Sequence, residues 1–362
     1  MNVVSLRRRC ARSWVSVGAA VRAGIWACAA SCVLATPAAA QSAAAPIAIN
    51  YGYPTVDHVN VYVAQDLGLF EKAGLKPTFF TFTSGAPLLA ALKSESLDVV
   101  TAGLGLAFAL GQNIPLKILY WNSNDALGEG LVVDPKSGIR SYRDIGKARK
   151  IGAASGTCAQ VALVEMAKKA GVDYSKLDVV NIAAPLLRNA LLSGSIDAGI
   201  AWAPYSVTLD AEGFGVVNWD PDYTPLGGLC PRMTGVRPEF LKRHPDVGVR
   251  LLQVDAMAAE AVAKNPQLAI DAIVKRLGLP VAAAKATLER MYMKRPSYAQ
   301  QLDPASPYSM TAKGAGLARV LFVSMQALYE AKAITQPLSM TAIDDALDAT
   351  ALKAFVESTR GK

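Results

Sequence analysis

Short apolar strands alternate with helices in two successive series, and this alternation constrains the fold more than any other feature of the chain. The first series predicts strands at 46–53, 76–82, 97–101 and 116–121. The second series predicts strands at 131–133, 150–154, 179–182, 196–201 and 216–218. Strands that alternate with short helices form mostly parallel sheets with helices on both faces. The sequence therefore predicts an α/β fold.

The two series also resemble each other in sequence. Segment 92–98 matches segment 191–197 at an offset of 99 residues, and both end a helix, turn on small polar residues and enter a strand through an aspartate. A repeat of 99 residues is longer than the repeats of solenoid proteins. It indicates two similarly built lobes, with a chance likeness of short helix–turn–strand pieces as the alternative. Beyond residue 238 the pattern changes to amphipathic helices, predicted at 245–264, 266–278, 281–291, 311–331 and 342–359.

Positive charge is concentrated at the N-terminus. The 362 residues include 37 Lys and Arg against 29 Asp and Glu, and residues 1–40 hold five arginines and no acid. The remaining chain has 32 basic and 29 acidic groups, which is too even a balance for a surface that binds nucleic acid.

The first forty residues are typical of a secretory signal. A basic start is followed by an alanine-rich apolar stretch and by Ala38-x-Ala40 before Gln41. Cleavage is expected after Ala40, with export to the periplasm. An uncleaved anchor helix is the alternative, which Arg22 disfavours because it interrupts the apolar stretch.

Few residues of the expected mature chain suit metal or redox chemistry. Two cysteines remain, Cys158 and Cys230, and in an exported protein they could be bridged or could stay separate buried thiols. The chain has two histidines, His58 and His244, which disfavours a multi-histidine metal site. No nucleotide-binding glycine motif or catalytic triad stands out, so neither a metal, a cofactor nor an enzymatic activity is expected.

Three strand-to-helix loops have a composition suited to ligand binding, at 53–58, 83–87 and 155–159. Ligands of open α/β sheets bind beyond the carboxyl ends of the strands, where unpaired N–H groups of helix starts favour anions. Trp202 and Tyr205 follow a predicted strand and could stack on an organic group. Ordinary helix capping and core packing are the alternatives.

Several motifs in order along the chain resemble those of periplasmic substrate-binding proteins of ABC importers, in the nitrate/sulfonate/taurine group that includes thiamine-precursor binders. These motifs lie at 63–75, 84–92, 97–103 and 193–204. The resemblance implies a two-lobe, type II-like fold that closes on its ligand by a hinge. It divides the chain into a first part of lobe 1 at 41–128, lobe 2 at 129–227, and a return to lobe 1 with C-terminal helices at 228–362.

The resemblance also implies function and site residues. It implies a monomer that captures a small anion and delivers it to a membrane permease, without chemistry. The implied ligand residues are Tyr53, Thr55, Asp57, His58, Ser84, Gly85, Gly103, Leu104, Thr157, Cys158, Trp202 and Tyr205. Ala203 stands where many relatives have an acidic residue, which favours a sulfonate or carboxylate without an amine. The alternatives are a protein that binds or makes a thiamine pyrimidine precursor, and a periplasmic sensor module.

Overall fold

The structure is a computed structural model that describes residues 45–56, 58–83 and 85–359. The predicted signal at 1–40 and the predicted ligand residues Asp57 and Ser84 lie outside the described residues. Within the described ranges, no helix combines the length and the apolar character that crossing a bilayer requires.

The strands of the described residues form two five-stranded sheets. In chain order they are β1 (Ile47–Pro54), β2 (Leu75–Phe82), β3 (Val99–Ala102), β4 (Lys117–Asn124), β5 (Gly130–Val133), β6 (Ile151–Gly152), β7 (Val179–Val180), β8 (Ala198–Ala201), β9 (Gly215–Trp219) and β10 (Pro231–Val236).

The two sheets have the same topology. Their strand orders are β2-β1-β3-β10-β4 and β7-β6-β8-β5-β9. In each sheet the fourth strand, β10 or β5, is antiparallel to both of its neighbours, and the other strands run in one direction. These antiparallel strands are the ones that the chain enters on crossing from the other sheet. The predicted fold of two mostly parallel sheets flanked by helices is therefore confirmed.

The repeat at 99 residues has a structural basis in two equivalent aspartates. The carboxylate of Asp98 accepts the backbone N–H of Asn50 at 2.9 Å, and that of Asp197 accepts the backbone N–H of Arg149 at 2.7 Å. The turn before each aspartate contains a residue with positive φ, Glu95 at 57° and Gly194 at 67°. Each aspartate thus joins a helix–turn to the central strands of its own sheet.

Helices cover the sheets and form the C-terminal region. They are α1 (Val59–Asp66), α2 (Leu69–Lys72), α3 (Gly85–Lys93), α4 (Gly105–Gly111), α5 (Cys158–Ala170), α6 (Ala184–Leu192), α7 (Tyr205–Ala211), α8 (Pro238–Arg243), α9 (Val247–Lys264), α10 (Gln267–Leu277), α11 (Val281–Arg290), α12 (Tyr298–Leu302), α13 (Gly316–Glu330), α14 (Met340–Ala346) and α15 (Thr350–Thr359).

Two sequence-based element predictions were wrong. The helix predicted at 342–359 is divided into α14 and α15, because Leu347 forms a parallel bridge with Ile118 of β4 and Asp348 accepts the N–H of Thr350. The sequence also predicts one helix that is capped by Asp57 and runs to about Phe70, but the structure has two helices here, since Gly68 adopts a positive φ of 62° between α1 and α2.

The C-terminal helices extend the core of the first lobe, which contains the first sheet. Side chains of α9, α10, α13 and α15 belong to the same apolar cluster as that sheet. Helix α5 lies between the two lobes: Val161 and Val164 pack into this first cluster, whereas Ala162 and Leu163 pack under the second sheet. The N-terminus of α5 is thereby fixed at the boundary between the lobes.

Candidate functional site

A cleft lies between the lobes at the carboxyl ends of β1, β3 and β8. It holds about 550 Å³ of empty space, part of which is open to solvent. The lining residues are Pro54, Val56, Thr83, Gly85, Leu88, Ala102, Gly103, Leu104, Gly105, Asp125, Gly156, Thr157, Cys158, Trp202 and Cys230.

The structure brings half of the residues expected to bind ligand into this lining. They are Gly85, Gly103, Leu104, Thr157, Cys158 and Trp202. It does not bring Tyr53, Thr55, His58 or Tyr205 into the lining. The predicted loops are thus at the cleft, but the side chains that face it differ in part.

Tyr53 and His58 do not line the cleft, although Pro54 and Val56 between them do. Tyr53 is buried beside His58, with ring centroids 5.0 Å apart, and its hydroxyl accepts a hydrogen bond from Gln65. The Nε2 of His58 lies 3.0 Å from the carbonyl oxygen of Pro54, so this nitrogen carries the proton. Burial lowers the pKa of His58 well below its usual value, so the ring stays neutral.

Thr55 and Tyr205 connect the two lobes beside the cleft. The hydroxyl of Tyr205 donates to the backbone oxygen of Thr55 at 3.2 Å. Close by, a Cβ added to Gly85 would lie only 2.8 Å from the carbonyl oxygen of Gly156, so the first turn of α3 touches the loop before α5. These contacts describe a cleft with the lobes closed against each other.

The hydrogen-bond donors facing the cleft are neutral. Helices α3 and α5 begin there, and their first N–H groups have no partner within their own helices. The hydroxyl of Thr157 donates to Ala154 at 2.6 Å and does not cap α5. The Nε1 of Trp202 is buried and has no hydrogen-bond partner among the described residues. No lysine, arginine or histidine is among the described residues that line the cleft.

Among the described residues that line the cleft, Asp125 is the charged one, and its carboxylate already interacts with other side chains. Its carboxylate lies 2.7 Å from Arg232 and accepts the hydroxyl of Ser123 at 2.6 Å. Burial raises the pKa of Asp125, while Arg232 and Ser123 act to lower it. Arg232 neutralises the carboxylate, so Asp125 does not prevent an anion from entering. Sequence reasoning missed Asp125, although its place after β4, at the first crossing between lobes, was a usable signal.

Cys158 and Cys230 form a disulfide, and their Cα atoms are 5.3 Å apart. The sequence alone did not decide between a disulfide and two separate buried thiols. Both sulfurs face the cleft, and a Cβ added to Gly103 would lie 3.0 Å from the Sγ of Cys158. Glycine at 103 therefore provides the space that the bridge occupies.

Behind the bridge lie two buried carboxyl groups, those of Glu129 and Asp220. Burial and the nearby carboxylates of Asp220 and Asp125 raise the pKa of Glu129 well above its usual value, and burial raises that of Asp220 to about 7. Neither carboxyl oxygen of Glu129 has a hydrogen-bond partner among the described residues, so no hydrogen bond offsets the cost of burying its charge. The pair therefore holds a proton at neutral pH.

Glu129 and the two cysteines are close enough to be considered as metal ligands. A Glu129 oxygen and the two sulfurs lie within 4.8 Å of one another. Thiolate, not disulfide sulfur, is the usual protein ligand for zinc. The bridge removes both thiolates, so the three residues do not form a metal site in this state.

The fold and the cleft define a two-lobed binding protein of the periplasmic type. The alkanesulfonate-binding protein SsuA from Xanthomonas axonopodis pv. citri, bound to MOPS, has the same fold with a TM-score of 0.68 and 20% identity over 83% of this chain and 99% of that chain. The nitrate-binding protein NrtA from Synechocystis gives a TM-score of 0.69 at 12% identity over 88% of this chain and 90% of that chain.

The chain belongs to the NMT1/THI5-like family, which matches residues 55–269, more than half of its length. A binding protein of Brucella abortus is 29% identical over 229 residues, which are 63% of this chain and 69% of that relative. A protein of Bacillus subtilis named for binding aliphatic sulfonates is 29% identical over 188 residues, which are 51% of this chain and 55% of that relative.

Proposed function

We propose that this protein is the periplasmic solute-binding component of an ABC importer, which captures a small organic anion such as a sulfonate or carboxylate and delivers it to a membrane permease. The observation that carries the proposal is the closed interlobe cleft, which is lined by the starts of α3 and α5 and by Trp202, whose buried Nε1 has no hydrogen-bond partner among the described residues. Helix N-termini stabilise anions through unpaired N–H groups and the helix dipole. The names of the sulfonate-binding relatives agree with this class of ligand.

The rest of the lining favours an anion with an apolar body and no amine. Pro54, Val56, Leu88 and Leu104 offer apolar surface. An amine would favour a free carboxylate, but among the described residues of the lining the one carboxylate, Asp125, is already paired with Arg232, and Ala203 offers none. A ligand such as an alkanesulfonate satisfies the donors at one end and fills the apolar surface at the other.

A binding role also agrees with the chemistry of the cleft. Catalysis by a nucleophile requires an activated group beside a base. Cys158 is bonded to Cys230, the hydroxyl of Thr157 is used by Ala154, and Asp125 is held by Arg232. None of these groups is available to react with a ligand.

Export and domain division complete the proposal. The mature chain begins at Gln41 after removal of the signal at 1–40. Lobe 1 takes 41–128 and 228–362, and lobe 2 takes 129–227. The strand membership of the two sheets supports these boundaries, since β5–β9 form one sheet and the remaining strands form the other. Thr55, Asp57, Ser84 and Tyr205 are retained in the proposed site as residues of the loops that surround the ligand.

Thermal shift and calorimetry with the mature protein test the ligand class. The panel is ethanesulfonate, MOPS, butyrate, taurine, nitrate and an aminopyrimidine. We expect the sulfonates or the carboxylate to raise the melting temperature, and Trp202→Phe to weaken binding about tenfold or more, as loss of a hydrogen bond to a charged group predicts. The matched control is Trp219→Phe, because Trp219 stacks on Arg290 away from the cleft. Binding of the pyrimidine alone, or equal losses in both variants, would overturn the proposal.

A further inference from the structure

We propose that the Cys158–Cys230 disulfide limits how far the cleft can open, so that ligand exchange depends on the redox state of this bridge. The claim about ligand exchange rests on the proposed function. The part concerning opening rests on geometry alone, because the bridge joins the two lobes across the base of the cleft.

The two cysteines belong to opposite sides of the cleft. Cys158 is the first residue of α5, which follows β6 of the second sheet. Cys230 directly precedes β10 of the first sheet, and its backbone oxygen accepts the N–H of Asp125 at 2.8 Å. A hinge rotation that separates the second lobe from the first must therefore either turn about the connection between these two residues or stretch it.

The other contacts at the cleft are of a kind that opening can break. The hydrogen bond from Tyr205 to Thr55 exchanges for hydrogen bonds to water when the lobes separate. The contact between Gly85 and Gly156 is van der Waals packing without a covalent link. The disulfide alone among these connections persists when water enters the cleft.

The permitted movement at the bridge can be estimated. Disulfides are found with Cα–Cα distances up to about 6.8 Å. The Cα atoms of Cys158 and Cys230 are already 5.3 Å apart. The start of α5 can therefore move away from β10 by only about 1.5 Å while the bridge is intact. Opening of the oxidised protein is confined to a rotation about this point, and a wider opening requires reduction.

A reductant reaches the bridge through the cleft. Both cysteines are more than nine-tenths buried, and the cleft is the space that their sulfurs face. A dithiol reductant gives the bridge two electrons and two protons, which yields the thiols of Cys158 and Cys230 and the disulfide of the reductant. A ligand in the cleft covers the sulfurs, so occupancy should protect the bridge from reduction.

The first test uses no ligand. Small-angle scattering measures the radius of gyration of the mature protein in oxidised and reduced form, and ¹⁹F NMR of 5-fluorotryptophan protein follows the cleft through Trp202. Trp202→Phe assigns that resonance, and alkylation with mass analysis verifies the thiol state. We expect reduction, or Cys158→Ser with Cys230→Ser, to increase the radius of gyration and shift the Trp202 resonance. Identical scattering and spectra in all forms would overturn the inference.

A second comparison separates restraint of opening from general stabilisation. Tyr205→Phe removes the hydrogen bond to Thr55 without changing the bridge. We expect it to change the radius of gyration little in the bridged protein and clearly in the Cys158→Ser, Cys230→Ser background. If the double serine variant does not fold, the reduced cysteines are joined instead by a methylene group, and the longer link should give an intermediate radius. An unchanged radius with the longer link would contradict the restraint.

The ligand part is measured with ethanesulfonate as the probe. We expect stopped-flow fluorescence to give release at least about tenfold faster from the unbridged protein, because opening precedes release. Equal release rates from both forms would refute control of exchange by the bridge. If the probe binds neither form while the radius still changes on reduction, the proposed ligand class fails and the restraint on opening stands.

Discussion

The buried pair of Glu129 and Asp220 makes a specific prediction about stability and pH. Burial raises the pKa of Asp220 from 3.8 to about 7. Between these two values the folded protein binds more protons than the unfolded chain, so the free energy of unfolding falls as the pH rises. A pKa change of this size corresponds to about 4 kcal/mol lost between pH 4 and pH 7. Glu129, whose pKa is also raised, adds a loss in the same direction.

Glu129→Gln should remove a large part of this loss. Glutamine cannot ionise, and its amide can donate to the carboxylate of Asp220, which lowers the pKa of Asp220 towards its ordinary value. We expect the loss between pH 4 and pH 7 to be smaller by about 2 kcal/mol than in the parent protein, in which both groups contribute, and the variant to be more stable than the parent protein at pH 8.

Urea unfolding of the bridged protein at half-unit steps from pH 4 to pH 8 measures this effect. The difference between variant and parent is the informative quantity, because the other ionisable groups are common to both. Glu260→Gln is the matched control, since Glu260 is exposed and paired with Lys264 on the surface of α9. A variant that keeps the full loss would show that the two carboxyl groups do not share a proton.

Two further predictions concern residues around the cleft. Gly103→Ala should lower the free energy of unfolding by about 1–3 kcal/mol in urea titrations, because its Cβ would lie 3.0 Å from the Sγ of Cys158. Gly105→Ala, whose Cβ would meet Leu88 at an ordinary 3.8 Å, should be neutral, and equal effects would contradict the packing argument. Asp125→Leu should cost about 3–5 kcal/mol because it removes the carboxylate of a buried ion pair with Arg232, and a loss below about 1 kcal/mol would show that the pair is dispensable.

The sequence predicted the parts of the fold that depend on local pattern. The alternation of strands and helices and the repeat of Asp98 and Asp197 were visible, because each unit is encoded in a short segment. Strand β10 was not predicted, since Pro231 and Gly235 disfavour a strand in an isolated segment. Its place between β3 and β4 is determined by partners more than a hundred residues earlier in the chain.

The candidate site was predicted at the level of loops and less well at the level of side chains. Trp202 and Thr157 follow strand ends and do line the cleft. His58 belongs to a predicted loop but is buried, with its Nε2 at the backbone oxygen of Pro54 and its ring beside Tyr53, contacts that a sequence pattern does not reveal. Asp125 was missed because its role depends on Arg232, which is distant in sequence and adjacent only in the fold.

Strand β10 comes late in the sequence, and this position affects how the protein folds while it is being synthesised. The hydroxyls of Thr101 and Thr234 share a buried hydrogen bond at 2.7 Å although they are 133 residues apart in sequence. Contacts so distant along a chain form slowly. The sheet that begins with the first strand therefore stays incomplete until residue 236 has been synthesised. For a chain exported as proposed, this delay leaves the first sheet incomplete during synthesis, and an incompletely folded polypeptide is the form that can be threaded through a translocation pore.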